Sequence, residues 1–79
     1  EMGRSADAME KYQQAIREYR ALLKESPDNT LTMVNLAMAL DRAGEPGEGL
    51  SLLHDAQRIA PNSVPPGLIA YLQGRVPDA

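Results

Sequence analysis

The chain has 79 residues, 43% hydrophobic and 24% charged, which is the balance of one small globular domain rather than a disordered tail. Eleven acidic against eight basic residues give a net charge of −3, which argues against the basic stripe of a nucleic-acid surface. Zero Cys excludes disulfide scaffolds, thiolate metal sites and cysteine nucleophiles, and no apolar run approaches the roughly 20 residues that span a bilayer.

Proline and glycine divide the sequence into helix-period runs at about 5–25, 30–43, 46–60 and 66–73. No segment alternates apolar and polar residues with β-branched enrichment, so no strand is expected and the fold class is all-α. In the first run Ala8/Met9, Tyr12, Ala15/Ile16, Tyr19 and Leu22/Leu23 recur at three- and four-residue steps, marking one apolar helix face. Ser5 is the expected N-cap, and Pro27 ends the run. The second run places Met33, Leu36, Ala37 and Leu40 on one side, with Leu31, Val34 and Met38 as an adjacent strip. A helix apolar over more than half its circumference contacts neighbours on two sides.

Gly44 suits a left-handed C-terminal position and Pro46 the first turn of the next helix. One or two residues then separate runs two and three, which makes them an antiparallel hairpin. The third run carries Leu50, Leu52/Leu53, Ala56 and Ile59 inward, with Glu48, His54, Asp55 and Arg58 outward or lateral. The fourth, around Leu68-Ile69-Ala70-Tyr71-Leu72, is short and apolar nearly all round.

Self-similarity organises these runs. Ser-Pro-Asp-Asn closes the first at Pro27 and Ala-Pro-Asn-Ser closes the third at Pro61, a spacing of 34 residues. The same shift brings Ala15 onto Gly49, Ile16 onto Leu50, Tyr19 onto Leu53 and Leu22 onto Ala56.

At this period, and with Asn35-Leu36-Ala37, Ala39-Leu40, Gly44, Glu48, Leu50, Ala56, Ile59 and Pro61-Asn62 in place, Thr30–Ser63 resembles one full tetratricopeptide repeat. Residues 12–29 resemble the second helix of a preceding repeat, and Met2-Gly3 the remnant of that repeat's first helix. Departures are Met33 where the family often has Trp, Pro46 where it often has Tyr, and Gly49 where it prefers Ala. Small residues at Ala37 and Gly49 fit a close approach of paired helices. The resemblance implies an antiparallel helix-turn-helix solenoid fragment of about four helices. It forms a single domain over 1–79: partial repeat 1–29, full repeat 30–63, closing helix and tail 64–79.

No catalytic constellation emerges. His54 is the sole histidine and lacks a partner at hydrogen-bonding or metal-ligand spacing, so a solvated imidazole is the better reading. Asp41, Glu45 and Glu48 gather near the turn as charged helix ends, and Ser51 and Ser63 have no activating base in reach. Gly44-Glu45-Pro46-Gly47 lacks the spacing and following Lys of a phosphate loop. The expectation is therefore a non-enzyme without cofactor or metal.

Of the four methionines, Met2, Met9 and Met33 fit the core or the terminus, whereas Met38 stands with Leu31, Val34, Asp41 and Arg42. In tetratricopeptide proteins that face lines a concave groove. Groove contact and packing on a neighbouring helix would use the same strip. Asn35 joins this set, with a structural role as its alternative. Leu68 and Tyr71 complete the partner-binding candidates from the apolar terminus. The resemblance also brings a ligand mode in which Lys and Arg from successive first helices clamp a C-terminal carboxylate. Here the matching positions hold Pro65 and Ile69, so chaperone C-terminal tails are not the expected ligand.

About one and a half repeats bury little continuous core, which points to an oligomer or larger assembly. The leading expectation is a protein–protein interaction module holding a peptide or helix, with a protein partner, no nucleic acid and no membrane span. The alternatives are an accessory segment of a larger enzyme and a small secretion-type chaperone. Residues 1–20 hold no continuous hydrophobic signal segment, which slightly favours a cytoplasmic location while the compartment stays unassigned. A start at Glu1 rather than Met fits a processed or excised chain.

Overall fold

A computed structural model describes the backbone of residues 2–77 and the side chains of residues 7–77. Four α-helices follow one another: α1 (Met2–Glu25), α2 (Thr30–Arg42), α3 (Pro46–Ile59) and α4 (Leu68–Arg75), with one turn of 3₁₀ helix at Pro61–Ser63 before α4. No strand occurs among the described residues.

Local chemistry sets the boundaries. Pro27 interrupts the chain after α1, and the Asn29 side-chain oxygen then accepts the Thr32 N–H at 3.1 Å, satisfying an otherwise unpaired donor at the start of α2. α2 ends at a left-handed glycine, Gly44, with φ of 90°. The Glu45 N–H reaches back to the Leu40 carbonyl (2.8 Å) and the Gly44 N–H to the Asp41 carbonyl (3.1 Å), so the last carbonyls of α2 are paired. Pro46 opens α3, where its missing donor costs nothing. At the far end the Ser63 hydroxyl lies 2.6 Å from the Ala60 carbonyl and 3.2 Å from that of Ala56, closing α3.

α2 is the centre of the molecule. Its Leu36, Ala39 and Leu40 pack with Ile16 of α1, while Met33, Val34 and Ala37 pack with Leu53 and Ala56 of α3 and Leu72 of α4. The two-sided burial expected from its wide apolar surface is present. α2 and α3 approach closely at Gly49, where a Cβ would stand 2.7 Å from the Ala37 carbonyl oxygen. Arg20 of α1 also pairs with Glu48 of α3 at 2.6 Å across the surface; an exposed pair of this kind contributes about 0.2–1 kcal/mol.

Several expectations need correction. α1 starts at Met2, so Ser5 lies inside the helix rather than at its N-cap. Three residues, Ala43 to Glu45, separate α2 from α3. The last helix runs 68–75 instead of 66–73, because Gly67 adopts a left-handed φ of 81° immediately before it. Met9, assigned to the core by period, is exposed, as are Leu22 at 50% and, at the end of α3, Ile59 at 49%; Met9 and Leu22 lie on the apolar face of α1, but α2 covers only part of that face.

Candidate partner-binding clefts

α4 lies one repeat beyond α2, and the side chains mark the offset. Arg75 donates from Nε to the Asp41 carboxylate, and the two residues are 34 positions apart, one at the end of each helix. Asp41 is only 6% exposed, so this contact supplies a buried carboxylate with its counter-charge. The Arg75 guanidinium is held above its ordinary pKa, first by the hydrogen bond to Asp41 and then by charge attraction to it. Its charged head also lies 5.5 Å from the centre of the Tyr71 ring, within cation–π range.

Between α2 and α4 this arrangement leaves a cleft of about 230 Å³ lined by Met38, Asp41, Arg42, Leu68, Tyr71 and Leu72. Five of the eight partner-binding candidates thus come together. The floor is apolar, Met38 being 36% and Tyr71 55% exposed. Asp41 is already matched by Arg75, whereas Arg42 makes no ion pair among the described residues. The cleft therefore combines apolar side chains with one positive charge that is unmatched among the described residues.

The other three candidates lie elsewhere. Val34 is 5% exposed and belongs to the core beside Leu72, so the groove strip read from periodicity is here partly a packing surface. Asn35 lines a second cleft, of about 250 Å³, between α1 and α2, together with Tyr12, Ala15, Tyr19 and, again, Met38 and Arg42. Leu31 is 69% exposed in the first turn of α2. Periodicity did not single out Arg75 and Leu72, which shape the first cleft. The 34-residue spacing from Asp41 to Arg75 and from Met38 to Leu72 was the available signal.

The residues considered for chemistry are dispersed. Asp41 turns to Arg75 and Glu48 to Arg20, so the acidic group near the turn does not act as a cluster. Asp55 pairs with Arg58, and His54 is exposed. Among the described residues no group of three or more His, Asp or Glu is placed to hold a metal ion, and no helix is long and apolar enough to cross a membrane.

No curated protein and no solved structure matches the chain. The family model for the tetratricopeptide repeat matches residues 1–64, which include α1, α2, α3 and the 3₁₀ turn. Repeats of this kind are typically non-catalytic modules of protein–protein interaction. With a matching helical hairpin at α2–α3 and a 34-residue period on both sides of it, the chain belongs to the tetratricopeptide-repeat family.

Proposed function

We propose that this chain is a non-catalytic interaction module that holds a peptide or helix of a protein partner in the α2/α4 cleft, and works within an oligomer or larger assembly. The observation that carries this reading is the convergence of Met38, Leu68 and Tyr71 on one apolar floor beside Arg42, whose charge has no partner among the described residues. The chemistry suits a partner segment with an apolar side chain followed closely by a carboxylate. The apolar side chain would displace water from the floor, and the carboxylate would match Arg42. Exposed apolar residues outside the cleft, Leu31 and Ile59 among them, support the assembly part of the reading.

A peptide-display library selected on the immobilised chain tests this. Peptides pairing an apolar residue with a nearby Asp or Glu should be enriched. Tyr71→Ala and Arg42→Glu should each weaken the selected peptides by about tenfold or more, since burying one aromatic or satisfying one charge is worth at least about 1.4 kcal/mol. Both side chains are exposed, so the fold survives these changes. Equal binding by both variants would put the interaction elsewhere.

A further inference from the structure

Three charges meet at the α2/α4 cleft, and two of them line it. Asp41 and Arg42 do so as neighbours at the end of α2. Arg75 touches two of the lining residues from behind: its Nε donates to the Asp41 carboxylate, and its guanidinium lies 5.5 Å from the centre of the Tyr71 ring. The other ion pairs among the described residues, Arg20 with Glu48 and Arg58 with Asp55, involve none of the cleft's lining. One carboxylate therefore stands against two guanidiniums, and one positive charge is left over for a ligand.

Burial decides which cation is left. Asp41 is 6% exposed, so its carboxylate has little water around it and needs a counter-charge from the protein. Arg75 supplies one, and its own pKa is raised, first by that hydrogen bond and then by charge attraction, as expected of a formed pair. Without Arg75 the buried carboxylate would still need a cation. Among the described residues the only one lining the cleft is Arg42, which would then be neutralised from within the protein. The repeat explains why Arg42 is free to begin with. Asp41 and Arg75 are 34 residues apart and so occupy the same place on α2 and α4, where opposite charges can pair. The counterpart of Arg42 is Val76, so the next repeat brings no carboxylate to it.

We infer that Arg75 sets the charge preference of the α2/α4 cleft: by holding Asp41, it leaves the Arg42 guanidinium free for a carboxylate of the partner segment. Arg75 is thus a positioning residue, acting through Asp41 rather than on the partner itself. This deepens the proposed function and rests on it.

The test uses one peptide from the display selection, synthesised with Glu at its acidic position and, as the neutral version, with Gln, each titrated calorimetrically. Arg75→Gln should weaken the Glu peptide by about tenfold and leave the Gln peptide nearly unchanged, because the apolar contacts persist and only the free charge is lost. Asp41→Asn should act in the opposite sense. It leaves both guanidiniums without an internal partner, and the Glu peptide should bind about threefold more tightly. Combining Asp41→Asn with Arg75→Gln should restore at least the affinity of the parent chain, since Arg42 is free again. A residue that only docks α4 gives a different pattern: its loss would shift Leu68 and Tyr71, weaken both peptides alike, and not be rescued at position 41. Equal losses for the two peptides, no loss on Arg75→Gln, no gain on Asp41→Asn, or a double variant as weak as Arg75→Gln each overturn the inference. When Tyr71→Ala and Arg42→Glu weaken the Glu peptide as expected, these outcomes overturn the role of Arg75 alone. A selection that enriches no acidic peptide, or a peptide indifferent to both of those variants, overturns the proposed function and this inference with it.

Discussion

Gly49 gives the sharpest prediction, because two effects of the same substitution oppose each other and the structure says which one wins. In an exposed helix interior, replacing Gly by Ala stabilises by about 0.8–1 kcal/mol through helix propensity. At position 49, however, the added Cβ would lie 2.7 Å from the Ala37 carbonyl oxygen and 3.3 Å from its Cα. Both atoms are backbone, so no side chain can rotate aside, and α2 must move by several tenths of an ångström against a filled core. Overpacking of this kind costs about 1–3 kcal/mol. Gly49→Ala should therefore be net destabilising by up to about 2 kcal/mol. Gly47→Ala is the internal control: it is in the same helix, exposed, with nothing within 4 Å of the methyl that the substitution adds, and should stabilise by up to about 1 kcal/mol. Urea titrations followed by circular dichroism give both values. Thermal midpoints should separate in the same order, at about 4–8 °C per kcal/mol for a chain of this size. If Gly49→Ala proves as stable as Gly47→Ala, the close approach of α2 to α3 is not as described.

Two further perturbations probe the ends of the central helix and its covering. Leu72→Ala removes a fully buried side chain that packs on Met33, Val34, Ala37, Leu53 and Ala56, and should cost about 2–5 kcal/mol in urea unfolding, a large part of what so small a core supplies. Asn29→Ala removes the acceptor for the Thr32 N–H and should cost about 0.5–2 kcal/mol, whereas Asn29→Asp, which keeps an acceptor oxygen, should come within a few tenths of the parent chain.

Elements governed by backbone chemistry were the most legible. Pro27, Gly44, Pro46 and Pro61 act within a residue or two of themselves, and the helices start and stop beside them. The 34-residue period was equally plain, because it recurs in punctuation and in small residues alike. What could not be read is which neighbour covers an apolar strip. Met9 and Val34 illustrate this. Both sit on apolar faces, and period alone does not say whether a helix lies opposite. α4 supplies one for Val34, and none among the described residues lies over Met9, so Met9, expected inside, is exposed, and Val34 takes the packing role, one of the two its strip allowed. The partner of Asp41 was hidden for a related reason: Asp41 lines the cleft, but its charge is matched by Arg75, which lies on a helix whose docking depends on Leu72 filling the core.

Met38 and Arg42 line both clefts, so a ligand in one bears on what the other can hold. α2 lies between α1 and α3 and borders both clefts, and in a stacked repeat each added neighbour contributes an interface term of its own. A ligand in the α1/α2 cleft packs on one side of Met38 and lies beside Arg42. A peptide in the α2/α4 cleft uses the other side of Met38 and competes for the same guanidinium. One charge cannot fully satisfy two carboxylates, so filling one cleft lowers the affinity of the other for an acidic ligand. By linkage the effect must be equal in both directions. A purely apolar peptide escapes this competition, because its contacts with Leu68 and Tyr71 leave Arg42 free. Comparing an acidic with a neutral version of one selected peptide on the parent chain and on Arg42→Gln therefore isolates Arg42 as the link: only the acidic version should lose affinity, by about tenfold.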